Sequence, residues 1–408
     1  MRFAILSCAV CVLLVQPADT CTTLAADESV QVAGEPLQPE FEGRSVAQWH
    51  QMIARIDPKA EQAPATLQML QRIMLADSLP QVVRRDAALT LGRIGLPAKD
   101  AVPLLAKLLE SSDLETKIWA ARSLALYRKV AAPASPQLVQ MLMDADIDQL
   151  YRQIPLEALG MIGATHPDVI PALASLLREL AAHGDDYTSQ FKANVIEAVG
   201  LVGPDAESLV PLMVRMQRSR SQQEAENVRL KLAEVPGRLK SSGAFAIHAL
   251  TEALLTDKSA AVQDAAAISL GQIGDVAMPM LTKLAEHSAA EIRWRVARSL
   301  GEPETSDSLA NPLLAKLLQD GSQLVRIAAA ESSQLRIEKN SQSLDVTIDL
   351  LRSDERQICM RAQRLLVQAQ SRLTQSHRER LRRLATEPTL SRAQRRVVTE
   401  LLEKLENN

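Results

Sequence analysis

The polarity pattern along the chain repeats, and each repeat reads as helix. Aligning segments on Val83-Arg84-Arg85-Asp86-Ala87-Ala88-Leu89-Thr90-Leu91-Gly92 puts equivalents of Gly92 at Ala125, Gly160, Gly200, Gly237, Gly271, Gly301, Gln334 and Val367. These anchors stand 30 to 40 residues apart, which leaves room for two helices and two turns. Five residues before the anchors every position is apolar (Ala87, Ala120, Pro155, Val195, Leu232, Ala266, Val296, Ala329, Ala362), and four before only Gln363 is polar. The position just before the anchor is mostly Leu or Val, broken by Pro236 and Ser333. With the residue nine before, these positions form one face of a helix. The alanines let a neighbouring backbone come close, and a glycine just past the face can end the helix.

A second apolar set lies between these helices, in Val102-Pro103-Leu104-Leu105, Val169-Ile170-Pro171-Ala172 and Asn311-Pro312-Leu313-Leu314. Proline fits a first helical turn, where its missing N–H has no helical partner. Strand alternation and Asn-Gly hairpin signals are absent, so the expected class is all-α.

This pattern resembles the HEAT-like repeats, particularly the short bacterial type associated with phycobilisome lyases. The best copies are Val83 to Gly95 and Val262 to Gly274, and the resemblance runs from about Ser78 onward, weakest near Val228, Val325 and Ile358. Gly43-Arg44-Ser45-Val46-Ala47-Gln48-Trp49 resembles a lead-in segment found before such repeats in exported bacterial proteins. The resemblance implies a right-handed α-solenoid of about nine helix pairs plus an N-terminal cap, with the anchor helices lining a concave surface. It is specific for fold and says little about function.

Composition suits thin layers rather than one thick core: 47% of residues are apolar but only 2% aromatic. The net charge of −3 gives no argument for nucleic acid. Arg2 followed by the apolar run Phe3 to Val15, with Thr23-Leu24-Ala25 beyond it, reads as a signal peptide over residues 1–26. The run is too short for a membrane span of about 20 residues, so the mature chain is expected to hold none. Residues 27–43 carry five acids and no Lys or Arg, with Gly34, Pro36 and Pro39, and read as a flexible linker. The organisation expected is then 44–77 as capping helices and 78–408 as the solenoid, in an exported chain, periplasmic or secreted. Cys21 offers a lipid anchor only through a poor lipobox, Ala18-Asp19-Thr20. Cys8 and Cys11 fall in the signal segment, and Cys359 reads as an inert core thiol.

Candidate chemistry is sparse. Deoxyhypusine hydroxylase, a HEAT-repeat enzyme, holds iron through His-Glu pairs, and none of the six histidines here precedes a Glu. Nucleophile-elbow, phosphate-loop and HExxH motifs are missing. Asp144-Ala145-Asp146-Ile147-Asp148 starts like a calcium loop but has Gln149 and Pro155 where Gly and Glu are needed, so it reads as a capping turn. His183-Gly184-Asp185-Asp186 reads as a longer loop. No cofactor, metal or catalytic residue is expected.

Three rows of charge remain. Glu157, Glu197 and Glu234 stand three residues before consecutive anchors, off the apolar face, and are the candidate partner-binding residues of an acidic central groove. Arg84, Lys117, Arg152, Lys192, Arg229, Arg293 and Arg326 stand eight before the anchors and read as a structural ladder between repeats, with Asp148, Thr188, Ser259 and Ser322 as caps or partners. From Arg352 onward thirteen basic residues face seven acidic ones, either a solvated cap or a patch for an anionic polymer. The expected function is a non-enzymatic scaffold that binds another protein or peptide on its concave face. The alternatives are a binder of an anionic polymer at the basic end, nucleic acid not expected, and a lyase-type enzyme with a groove active site.

Overall fold

The computed structural model describes residues 43–55, 63–76, 78–94, 98–220, 224–336 and 341–406. The expected signal peptide, 1–26, and residues 27–42 of the acidic linker lie outside the described residues. No β-strand occurs among the described residues, and no described helix is long and apolar enough to cross a membrane.

All nine anchors fall in or just past a helix of one layer: α3 (Gln81–Ile94), α5 (Leu114–Tyr127), α7 (Gln149–Ile162), α9 (Ser189–Val202), α11 (Glu226–Arg238), α13 (Ala260–Ile273), α15 (Ala290–Ser299), α17 (Gln323–Arg336) and α19 (Arg356–Gln368). The second layer comprises α2 (Ala63–Leu75), α4 (Ala98–Leu108), α6 (Ser135–Met143), α8 (Val169–His183), α10 (Val210–Arg220), α12 (Ile247–Thr256), α14 (Met278–Leu284), α16 (Asp307–Leu317) and α18 (Ser341–Leu350). A further pair, α20 (Gln375–Ala385) and α21 (Arg392–Glu406), stacks on one end, and α1 (Val46–Ala54) on the other. Each anchor helix packs on the outer helix before it and on the next anchor helix, forming an all-α solenoid. Its core is one continuous cluster from Trp49 to Leu405.

Small residues set the spacing of the anchor layer. A Cβ on Gly271 would lie 2.2 Å from the Ser299 carbonyl oxygen, and one on Gly237 would lie 2.7 Å from Ser269 Cα. Buried serines two residues before the anchors bridge the same junction: Ser123 Oγ donates to the Ala88 carbonyl at 2.8 Å, and Ser269 Oγ donates to that of Ala233. The outer helices touch one another at fewer residues. Two stacked layers of unequal spacing curve toward the tighter one, so the anchor helices line the inner side.

Helix ends differ from the expectation in two ways. The residue that ends an anchor helix stands three after the anchor, where Gly163, Gly203 and Gly274 adopt φ of 79°, 81° and 84°. The anchor glycine itself serves close packing. Pro103 and Pro312 lie inside α4 and α16 rather than in a first turn, because both helices begin about one turn earlier than the apolar run suggests. At the other end, Ser45 and Gln48 form a capping box that starts α1 and seats Trp49, 1% exposed, beneath the Arg44 guanidinium. Helix α2 packs on α3, so the boundary expected at residue 78 falls between two helices of one pair.

Candidate partner-binding surface

The cation row lies at the repeat junctions. Arg293 forks onto both oxygens of Asp320 at 2.7 and 2.9 Å and donates to the carbonyls of His287 and Ser288. Arg229 does the same with Asp257 and the Glu224 carbonyl, and Lys192 Nζ meets Glu224 Oε2 at 2.6 Å. Arg326 donates to the Asp320 carbonyl and Gln263 to that of Asp257, so each acidic turn links two repeats. Arg152 instead lies over the Tyr187 and Phe191 rings. Of the partners expected from sequence, Asp148 and Thr188 cap α7 and α9. Ser259 does not serve, since its Oγ bonds Glu226, and the acids that hold the cations are Asp257, Asp320 and Glu224. Their signal was an acid five or six residues before the next position of the row, one or two residues earlier than the positions chosen.

The three glutamates occupy the inner face but differ in state. Glu157 is exposed. Glu197 accepts from both Arg238 nitrogens at 2.6 and 2.7 Å, and Lys231 Nζ lies 3.1 Å from Glu197 and 2.8 Å from Glu234. Burial works to raise the Glu197 pKa, but hydrogen bonds and charge from Arg238 and Lys231 outweigh it and bring the carboxyl down to about 2. Lys231 thus draws Glu197 and Glu234 into one network of two acids and two bases, and Glu157 stands apart.

One turn along the same face, just after the anchors, lies a row that sequence reasoning missed. Leu126 on α5 is 56% exposed and Leu201 on α9 is 40% exposed, with half-buried Met161 of α7 between them in the series. At the start of α7, Leu150 and Tyr151 are 61% and 40% exposed. They border a cleft of about 470 Å³ between α5 and α7, which Trp119, Arg122 and Ile154 also line. The Arg122 guanidinium sits 4.8 Å from the Trp119 ring centroid, and that of Arg85 sits 5.5 Å from it. Isolated exposed apolar residues are ordinary, whereas a row repeated on successive helices of one face is the pattern of a candidate interaction surface. In sequence these residues look like the edge of the core stripe.

The family profile described as HEAT repeats matches residues 64–160, 247–334 and 278–367, more than half of the chain. The chain belongs to the HEAT-repeat family. No curated protein matches it. Among solved structures it is similar to Kap95 in the Kap95:Nup1 complex, at 13% identity and a TM-score of 0.53, covering 84% of this chain and 52% of that one. Kap95p bound to RanGDP gives 12% identity and 0.52, over 88% of this chain and 55% of the other. The HEAT array described here therefore spans about half the length of those chains, and the likeness is one of fold. Human deoxyhypusine hydroxylase, at 20% identity over 75% of this chain and 96% of that one, has a TM-score of 0.25, which carries no argument.

Elsewhere on the HEAT array the charged features are largely engaged. At the basic end Arg352 binds Glu387 and Asp349, Arg361 binds Glu331, and Arg380 binds Asp345 and Asp349, each but the local Arg352–Asp349 pair reaching between different helix pairs. Arg378 donates to the Leu405 and Gln370 carbonyls. Asp144 and Asp148 accept from the Asp146 and Leu150 amides, as a capping turn does. Residues 184–186 form a single 3₁₀ turn. The Cys359 thiol is buried, which pushes its pKa up, and it donates to the Leu351 carbonyl. No cluster of His, Cys, Asp and Glu suited to a metal occurs among the described residues.

Proposed function

We propose that this HEAT-repeat chain is a non-enzymatic scaffold that binds another protein or peptide on the inner face of α5, α7 and α9. The observation carrying the reading is the cleft bordered by exposed Leu150 and Tyr151 on a preformed helical frame, with exposed Leu126 and Leu201 toward the other ends of α5 and α9. A rigid frame lowers the ordering cost of association, and exposed aromatic and aliphatic anchors supply its favourable part. The fitting partner is a segment with apolar side chains and a basic or polar flank, the flank facing Glu157, with Glu197 and Glu234 contributing through their network. Kap95 in complex with Nup1 shows the fold carrying a partner, but the identity is too low to transfer that partner here.

We further propose that the chain works outside the cytoplasm, after loss of residues 1 to about 26, as the short apolar run suggests. N-terminal sequencing of the exported protein should then begin near Ala26 or Asp27, and a mature chain starting at Met1 would refute it. For the surface, mature protein used as bait should capture a partner identified by mass spectrometry. Leu126→Asp with Leu150→Asp should abolish that capture without moving the unfolding midpoint, both side chains being solvent-exposed. Undiminished capture by the double variant would overturn the reading.

A further inference from the structure

A cavity of about 350 Å³ lies where α10 and α12 end and α11 and α13 begin, apart from the residues of the partner surface. Its walls are apolar where Leu232, Ala253 and Val262 face it, and Glu224 and Asp257 bring carboxylates to its lining. The Glu224 side chain is 3% exposed. Its Oε2 takes the Lys192 ammonium, but Oε1 is buried without a hydrogen-bond partner among the described residues. Leaving such an acceptor unpaired is costly, the more so for a charged group. A buried carboxylate oxygen of this kind calls for a donor.

The charges around Glu224 restrict what can fill the place. Lys192, Arg229, Glu224 and Asp257 form two buried or nearly buried ion pairs, so the interior is already neutral. An entering ammonium would add an uncompensated charge in a poorly solvated place, and a carboxylate would face Glu224 directly. A neutral donor satisfies Oε1 and adds no charge. The mouth is different: the exposed Arg218, Lys258 and Glu252 line it, and its two cations offer donors beside the one carboxylate. A group with a donor at its inner side and an acceptor at its outer side matches both.

We propose that this cavity is a binding site for a primary carboxamide on a short aliphatic stem. The amide N–H donates to Glu224 Oε1, its carbonyl accepts from Arg218 or Lys258, and the stem lies against Leu232, Ala253 and Val262. The amide comes from a small molecule or from a glutamine side chain of a peptide. Both present the same chemistry.

Saturation-transfer NMR on the full chain tests this with propionamide and with Ac-Gln-NHMe, Ac-Glu-NHMe and Ac-Lys-NHMe, whose N-methylamide caps leave the glutamine side chain as the one primary carboxamide among the peptides. Transfer to the side-chain methylenes of Ac-Gln-NHMe is expected, exceeding that to the two charged probes. Transfer to propionamide as well would assign a free amide, and to Ac-Gln-NHMe alone a peptide side chain. Replacing the pair together, Lys192→Met with Glu224→Leu, removes the acceptor without stranding a buried charge and should weaken Ac-Gln-NHMe by at least about tenfold. The exposed rim variant Lys258→Ala with Arg218→Ala should weaken it too, with the unfolding midpoint unchanged. Absence of transfer to both amides at millimolar concentration, preference for Ac-Lys-NHMe, or undiminished binding in the Lys192/Glu224 variant would each overturn the assignment.

Discussion

Lys240 and Arg128 hold the helix-ending position that Gly163, Gly203 and Gly274 hold elsewhere, with φ of 56° and 51°. A side chain in the left-handed region costs about 1–2 kcal/mol, and glycine removes that at the expense of about 0.5–1 kcal/mol in unfolded-chain entropy. Lys240→Gly should therefore raise stability by roughly 0.5–1 kcal/mol in denaturant titration; a lowered midpoint would mean that the Lys240–Glu304 pair outweighs the backbone. Glu197 makes the opposite kind of contribution. Its folded pKa of about 2 lies below the ordinary 4.5, so its stabilisation is present above pH 4.5 and is lost as pH falls through that window toward 2. With the side chain 30% exposed, solvent screening trims the effect to about 1–2 kcal/mol. Glu197→Gln should be less stable than the parent by that amount at pH 7, and the gap should close in acid. A gap independent of pH would show that the ionised carboxylate is not what Arg238 and Lys231 hold.

A helix in this array is specified on two sides that answer to different physics. The alanine and glycine columns act through distance, and the cation eight before the anchor acts through the acid of the following turn. Arg293 is the best-formed case, since its guanidinium covers both Asp320 oxygens and two carbonyls that end the preceding turn. Asp320 in turn is held below its usual carboxylate range, chiefly by that hydrogen bond. Arg293→Ala should cost about 1–3 kcal/mol. Arg293→Lys should recover only part, because an ammonium cannot reproduce the planar fork. An unchanged midpoint in both, with partner binding lost, would move the row from structure to recognition.

Across the whole molecule each pair touches only its neighbours, so the end faces carry a special burden. Helix α21 buries Val398, Leu401 and Leu405 inward and turns Arg392, Arg395, Arg396 and Glu403 outward, the polarity a capping helix needs. Removing residues 369–408 should uncover the apolar side of α19. The shortened chain should unfold at lower temperature and self-associate in sedimentation velocity, whereas a monomer of unchanged midpoint would show that α20 and α21 are dispensable to the array. The basic residues of this end divide: Arg361 and Arg380 serve contacts between helices, and Arg392, Arg395 and Arg396 lie on the outer face.

The helical repeat was legible because it is local: a period near 33 residues, alanines at two fixed offsets and a glycine or small residue at the anchor are each readable within one copy. The cation ladder was legible for the same reason, since a position repeated seven times on the border of a buried stripe demands a structural partner. What the row could not show was the partner, because Asp257 and Asp320 lie 28 and 27 residues beyond Arg229 and Arg293 and meet them only when pairs stack. The glutamate row had the same blind spot. Glu197 and Glu157 share one offset and one chemistry, yet Arg238, 41 residues away, takes one of them and leaves the other exposed. Exposure of Leu126, Leu150 and Leu201 likewise depends on where the next helix stops covering the last. Sequence by itself determined which faces are buried, through periodicity within a helix. Tertiary structure alone decided which charges are spent and which apolar side chains stay open, because both depend on contacts between repeats.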